Sequence, residues 1–229
     1  MPSKHIIKKY ISDGYYHIYN RGVEKRKIFQ NEQDYKVFLF YLKTYLEPKN
    51  TEELQKQLTQ PNLSYKRRAE ILKILRLNNF HNEIQLLSFC LMPNHFHLLL
   101  KQKSSNGIDI FMQSLATRYS MYFNKKYKRV GPLFQGLYKA VLVSSDEQLL
   151  HLSRYIHKNP AGHSAYILKR NDLSRSYSSY KNYLGEIKTD WLKTELILSH
   201  FSKTNPQLTY RAFVEGAVDS QLIQKLVLE

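Results

Sequence analysis

The alternation of hydrophobic and polar residues predicts a sheet of short strands. Residues 15–21 are aromatic and β-branched and have a glycine on either side, which is typical of a strand. Two apolar runs within 83–101 are separated by Pro93-Asn94, and turn residues between apolar runs predict a β-hairpin whose return strand begins at His95. A further strand is predicted over 138–143.

Apolar residues that recur every three or four positions predict three amphipathic helices against this sheet. The first begins after Asn31, a residue suited to cap a helix, and the second is a long helix that begins near Ile108. The third starts at a capping box over 144–147 and runs from Asp146 to Asn159. We expect Pro160 to end it, because the residue before a proline avoids the α-helical region.

Two regions fall outside this pattern and divide the chain. Residues 49–80 are polar and rich in Lys and Arg, so they are predicted to be a surface insertion with one helix from about 64 to 77. That helix is either a nucleic-acid contact or a solvated surface. Residues 1–185 are predicted to form the main domain, and 186–229 a helical extension with helices around 191–201 and 210–228.

Composition favours a folded protein that binds a polyanion. Of the 229 residues, 42% are hydrophobic and 24% charged, as in ordinary globular proteins. The 35 Lys and Arg against 19 Asp and Glu give a net charge of +16, which favours association with phosphates. Eighteen Tyr and eleven Phe lie among these cations, and aromatic faces beside cations suit unpaired bases better than a closed duplex.

The chain is expected to act in the cytoplasm and away from membranes. No apolar stretch approaches the roughly 20 residues of a membrane-spanning helix, and the first residues do not resemble a signal peptide. Cys90 is the single cysteine, so no disulfide forms within the chain, which fits a reducing compartment.

The most informative chemistry lies on the predicted hairpin. Successive side chains of a strand point to opposite faces, so His95 and His97 share one face and Phe96 takes the other. Two imidazoles about 7 Å apart on a strand can supply two ligands to one metal ion. Alternatively, both histidines are outward-facing polar residues of a half-exposed strand and bind no metal. His17 is similarly either a sheet-surface residue or one that faces a site.

The third predicted helix supplies two further candidate groups. Tyr155 and Asn159 are four residues apart and therefore lie on one face of that helix. Taken alone they are ordinary structural residues. Taken with His95 and His97, they complete a set of two imidazoles, an amide oxygen and a phenol.

Three segments, taken in order, resemble the single-tyrosine HUH transposases. They are Pro-Asn-His-Phe-His-Leu-Leu at 93–99, Gly-Pro-Leu-Phe-Gln-Gly-Leu-Tyr-Lys at 131–139 and Leu-Ser-Arg-Tyr-Ile-His-Lys-Asn-Pro at 152–160. The resemblance spans roughly 14–185. It is closest to the REP-associated tyrosine transposase branch, which is similar to the transposases of the smallest insertion sequences.

This resemblance implies an α+β, ferredoxin-like antiparallel sheet with packed helices. It also implies that His95, His97 and Asn159 bind a divalent metal, Mg²⁺ or Mn²⁺, and that Tyr155 attacks DNA to form a covalent 5′-phosphotyrosine. The implied substrate is single-stranded DNA with a hairpin or palindromic repeat. Relatives act as monomers or homodimers, so either state is expected here.

The phenol of Tyr155 needs a proton acceptor, because a phenol ionises only near pH 10. The candidate proton acceptors are a bound water and His151, one turn before Tyr155.

Lys and Arg residues near these segments are candidates for phosphate contacts. The expected contacts are Arg118, Lys125, Lys126, Lys128, Arg129 and Lys139.

Three alternatives remain open from the sequence. The chain can be a nucleic-acid-binding protein that keeps the fold without cutting. The histidine pair can join Cys90 in a structural zinc site, although structural zinc usually has four protein ligands. Tyr119 or Tyr138 can replace Tyr155 as the nucleophile.

Overall fold

A computed structural model describes residues 10–163 and 177–216, with side chains placed for 10–159 and 177–216. Its centre is a four-stranded sheet of β1 (Tyr15–Arg21), β2 (Ile84–Met92), β3 (His95–Gln102) and β4 (Lys139–Val143). The spatial order is β2-β3-β1-β4, and every neighbouring pair is antiparallel. Helices pack on both faces, which confirms the predicted α+β sheet architecture.

The helices account for most of the remaining described chain. In α1 the predicted cap is present, because Asn31 and Asp34 form a reciprocal capping box. Among the described residues, no helix is both long and apolar enough to cross a membrane. The helices are α1 (Glu32–Leu46), α2 (Thr51–Leu58), α3 (Tyr65–Arg76), α4 (Gly107–Lys126), α5 (Asp146–His163), α6 (Tyr180–Tyr183), α7 (Glu195–Leu198) and α8 (Tyr210–Glu215), with 3₁₀ turns at Val23–Lys25 and Pro206–Leu208.

The two faces of the sheet bury separate hydrophobic cores. On β3, Phe96 belongs to the core that includes Phe38 of α1 and Phe111 of α4. Leu99 lies in the other core with Leu152 of α5. This alternation places His95 and His97 on the α5 side, because they share the face of Leu99.

Several predicted boundaries were wrong. Helix α5 continues through Pro160 to His163, since the fixed φ of proline is compatible with a helix. The cap of α5 lies one residue later than expected, since the N–H of Gln148 donates to Oγ of Ser145 at 3.2 Å.

Outside the sheet, the periodicity also misjudged several lengths. The insertion contains α2 in addition to the predicted α3. The helix expected over 191–201 is only the four-residue α7, because Leu192 instead forms a β-bridge with Leu86. Of the helix expected over 210–228, α8 covers the start, and 217–229 lie outside the described residues.

Candidate metal and nucleophile site

The β2–β3 hairpin places the two candidate metal ligands side by side. The rings of His95 and His97 are 5.0 Å apart between centroids and lie at 90° to each other. His97 is buried and His95 is half-buried. Nδ1 of His95 lies 2.6 Å from Oδ1 of Asn94 in the turn, and the Asn94 carbonyl accepts a 2.8 Å hydrogen bond from the N–H of Gly22. The turn is therefore tied to the end of β1.

Helix α5 brings the other two candidate residues to the same place. Nδ2 of Asn159 lies 3.4 Å from Nε2 of His97. The Tyr155 ring is edge-on to the His97 ring, with 5.6 Å between centroids. Residues separated by about 60 positions in sequence therefore meet between the sheet and α5. This juxtaposition has the components needed for phosphoryl transfer by a phenol.

The phenol of Tyr155 is not already ionised by its surroundings. Burial raises its pKa above the ordinary value of 10, and a hydrogen bond with Asn159 opposes this rise. The nucleophile therefore needs help to lose its proton. His151, the candidate base from the sequence, lies edge-on to Phe213 of α8, with 5.4 Å between ring centroids, so its ring contacts α8.

Strand β1 contributes residues that the sequence did not assign firmly. Nε2 of His17 lies 2.9 Å from Nδ1 of His97, and both side chains are buried. Tyr19 is directly opposite His97 in register, and Arg21 is opposite His95. The period of two along β1 shows that these side chains share a face. It does not show which residues of β3 they meet, because strand register is set by the assembled sheet.

The donor set fits a divalent metal whose first shell is completed by water. His95 and His97 present imidazole nitrogens, and Asn159 presents an amide group beside them. Within the described part of the chain, no group of three or more His, Cys, Asp or Glu side chains is arranged to hold a metal. Cys90 is opposite His97 on β2 and is fully buried. Because no such group in the described residues combines Cys90 with the histidine pair, a zinc site built on Cys90 is disfavoured.

The candidate phosphate contacts fall into two groups. Lys139 is exposed on β4 and pairs in register with Tyr19, so it lies on the same face as His97, two strands away. Lys125 and Lys128 are also exposed, at the end of α4 and just beyond it. These three side chains are available to a polyanion.

The other three candidates are engaged within the protein. The guanidinium of Arg118 lies 3.9 Å from the centroid of the Tyr41 ring. Nζ of Lys126 is 2.7 Å from a carboxylate oxygen of the fully buried Asp34. Nη1 of Arg129 donates to Oδ1 of Asn124 at 3.1 Å. Each of these contacts would have to loosen, or be shared, for the cation to reach DNA.

The alternative nucleophiles lie on the other side of the sheet. Tyr119 is buried in the core under α1 and α4 and donates to the carbonyl of Ile28 at 2.6 Å. Tyr138 belongs to the same core and hydrogen-bonds Asp109 and Tyr10. Burial raises the pKa of both phenols, and neither shares the face that carries the histidine pair.

A C-terminal segment, residues 177–216, holds the side of α5 that faces away from the site. His157 lies 2.7 Å from the hydroxyl of Tyr210 and 2.7 Å from Oγ of Ser179. Arg154 donates to the carbonyl of Gly216 at 2.6 Å. The helix that carries Tyr155 is thus fixed from both sides, by the sheet and by this segment.

Comparisons with known proteins identify the family of this chain. A search of curated proteins finds no match. A solved structure of a REP-associated tyrosine transposase bound to a REP hairpin is similar over 82% of this chain and 93% of the other, with 10% identity and a TM-score of 0.48. The model of the family described as "Transposase IS200 like" matches residues 10–159, which contain all four strands, the histidine pair, Tyr155 and Asn159. The chain therefore belongs to the IS200-like transposase family.

Proposed function

We propose that this protein is a metal-dependent single-stranded DNA endonuclease and strand transferase that uses Tyr155 as its nucleophile. The observation that carries the proposal is the position of the Tyr155 ring, edge-on to His97 and one helical turn from Asn159. Membership in a transposase family supports DNA as the substrate. The +16 net charge supports binding of a polyanion.

His95, His97 and Asn159 would hold the metal, Mg²⁺ or Mn²⁺. When bound, the metal supplies positive charge that draws electron density from the scissile phosphate and offsets charge in the transition state. All three proposed protein ligands are uncharged, so they leave that positive charge undiminished. Amide oxygen and water suit Mg²⁺ and Mn²⁺, whereas imidazole alone tolerates other metals.

Tyr155 would then attack phosphorus through its phenolic oxygen. The bond from phosphorus to the 3′ oxygen breaks, the phenol proton passes to a base or water, and the 3′ oxygen leaves as a hydroxyl after taking up a proton. The 5′ phosphate stays on Tyr155 as a phosphodiester. A 3′-hydroxyl, from the same strand or another, later attacks this linkage, restores a DNA phosphodiester and releases the phenol, so no external energy source is needed.

The proposed substrate is single-stranded DNA with a hairpin. A tyrosine needs an accessible backbone, and single strands suit a surface that combines cations with aromatic rings. Lys125, Lys128 and Lys139 are exposed cations, and Lys139 lies on the face of the site. Arg21, opposite His95 on β1, is a further candidate contact near the reacting phosphate.

Covalent capture tests this function directly. The protein is incubated with Mn²⁺ and hairpin oligonucleotides that carry randomised single-stranded flanks and a 3′ label, because the fragment on Tyr155 retains the 3′ end. A labelled protein band that survives denaturation is expected for the wild type and is expected to disappear in Tyr155→Phe. Tyr19→Phe is the matched control, since among the described residues the Tyr19 phenol also lies close to His97, with 6.0 Å between ring centroids.

Peptide mapping of the adduct assigns the attacked residue. Linkage to Tyr155 is expected, and linkage to Tyr19 or another tyrosine would contradict the assignment. Binding of the hairpin without any adduct across Mg²⁺ and Mn²⁺ would instead favour a non-catalytic nucleic-acid-binding protein.

A further inference from the structure

We infer that His17 is a positioning residue for His97: it accepts a hydrogen bond from Nδ1–H of His97 and so keeps the Nε2 lone pair of His97 available to the metal. This inference rests on the proposed metal site. It adds a residue of β1 to a site whose other members lie on β3 and α5.

The contact between the two imidazoles is buried and specific. Nε2 of His17 lies 2.9 Å from Nδ1 of His97, and the two ring planes are nearly parallel, with 5.1 Å between centroids and 18° between planes. His17 is 0% exposed and His97 is 2% exposed. A buried donor or acceptor without a partner destabilises the fold, because water cannot replace the lost hydrogen bond. This hydrogen bond therefore fixes the orientation of both rings.

The direction of this hydrogen bond decides whether His97 can bind a metal. A neutral imidazole has one N–H donor and one acceptor nitrogen. If His97 donates from Nδ1, its Nε2 carries the lone pair that a metal requires. If His17 donates instead, the proton of neutral His97 must sit on Nε2, where it blocks coordination.

The opposite edge of the His97 ring supports the first direction. Nδ2 of Asn159 lies 3.4 Å from Nε2 of His97. An amide NH₂ group donates and does not accept, so this contact is favourable only when Nε2 bears a lone pair. His97 must then carry its proton on Nδ1, next to His17.

The second histidine of the pair is arranged in the same way. Nδ1 of His95 lies 2.6 Å from Oδ1 of Asn94, and that oxygen can only accept. Both histidines therefore have a protein acceptor next to Nδ1. Metal-binding histidines usually donate their second ring N–H to a carboxylate, carbonyl or water. For His97 the acceptor of this N–H is the neutral imidazole of His17, which adds no negative charge.

The inference is tested with His17→Leu, which removes the acceptor, and His17→Gln, whose amide oxygen can replace Nε2. His81→Gln is the matched control, since His81 hydrogen-bonds the Leu46 carbonyl away from the site. Mn²⁺ affinity is measured from the electron paramagnetic resonance signal of free ion. We expect affinity to fall about 10–100-fold in His17→Leu, to recover largely in His17→Gln, and to be unchanged in His81→Gln.

A second measurement needs neither metal nor variant. Nitrogen-15 NMR of the histidine rings in the metal-free wild type is expected to show a protonated Nδ1 and an unprotonated Nε2 for His97. A proton on Nε2 would overturn the inference even if both His17 variants failed to fold. Wild-type Mn²⁺ affinity in His17→Leu would overturn it as well.

The same experiments separate this inference from the proposed function. If the wild type binds Mn²⁺ as expected but forms no adduct with DNA, the nuclease proposal fails and the positioning role stands. If adducts form and Tyr155→Phe abolishes them while His97 carries its proton on Nε2, the positioning role fails and the nuclease proposal stands.

Discussion

Protonation of His157 is expected to destabilise the protein in acid and to loosen the helix that carries Tyr155. His157 is 0% exposed and lies 2.7 Å from both the Tyr210 hydroxyl and Oγ of Ser179. Burial lowers the pKa of this imidazole to about 3, from an ordinary value of 6.5. In the unfolded chain the same side chain regains its ordinary pKa.

The difference between these pKa values sets the sign and size of the effect. Between the two values the unfolded chain binds more protons, so the free energy of unfolding falls as the pH drops below the unfolded pKa. The loss attributable to His157 is about 1 kcal/mol at pH 5.5 and about 3 kcal/mol at pH 4.5. For a chain of this size, a loss of about 3 kcal/mol corresponds to a fall in Tm of about 6–12 °C. Well above the unfolded pKa, protonation of His157 has no effect on stability.

Urea unfolding of the wild type and His157→Gln between about pH 4.5 and 8 measures this contribution. Carboxylates also titrate over this range, so the informative quantity is the difference between the two proteins. His157→Gln is expected to be less stable near neutral pH, and the difference in unfolding free energy from the wild type should narrow by about 3 kcal/mol at pH 4.5. His81→Gln controls for loss of a histidine that is not fully buried. Parallel stability curves for the wild type and His157→Gln would refute the reasoning.

Three further predictions concern other parts of the molecule. Asp34→Asn is expected to cost about 3 kcal/mol in urea unfolding, because it leaves Lys126 without its buried carboxylate partner. Burial of Asp34 raises its pKa, but hydrogen bonds from Lys126 and neighbouring groups outweigh burial, so the pKa in the folded protein is below its ordinary value. The stability that Asp34 contributes should therefore be present above the unfolded pKa of Asp and be lost as the pH falls through the lower folded value. The single-turnover rate of adduct formation should rise between about pH 7 and 9. Burial raises the pKa of Tyr155, so the ionised fraction of its phenol grows throughout this range. A rate that does not change with pH, measured with the chemical step rate-limiting, would contradict this. Lys139→Ala is expected to weaken single-stranded DNA binding and to reduce the slope of log affinity against log salt by about 0.7, whereas unchanged binding and slope would exclude a phosphate contact.

Local sequence patterns predicted the strand and the helix that carry the candidate site residues. The Pro93-Asn94 turn and the alternation after it placed the start of β3 at His95, and the structure agrees. The spacing of Tyr155 and Asn159 placed both on one side of a helix. These features depend on backbone preferences and on periods of two and 3.6 residues, which are properties of short segments.

Local patterns missed one helix boundary and one long-range ion pair. Pro160 was expected to end α5, yet the helix continues for three more residues to His163. Lys126, a predicted phosphate contact, pairs with Asp34, which lies 92 positions earlier, and a run of basic residues does not reveal such a pair. The rule that the residue before a proline avoids the α region is only a preference, so it does not fix the end of a helix.

The sequence by itself determined the kinds of groups in the site, the strand and helix that bear them, and the basic character of the surface. Only the tertiary structure decided that Nδ1 of His97 meets His17, that Tyr119 and Tyr138 lie on the other side of the sheet, and that residues 177–216 hold α5. The physical reason is that periodicity specifies which side chains share a face. The register between distant strands and the docking of a helix on a sheet follow from packing of the whole core.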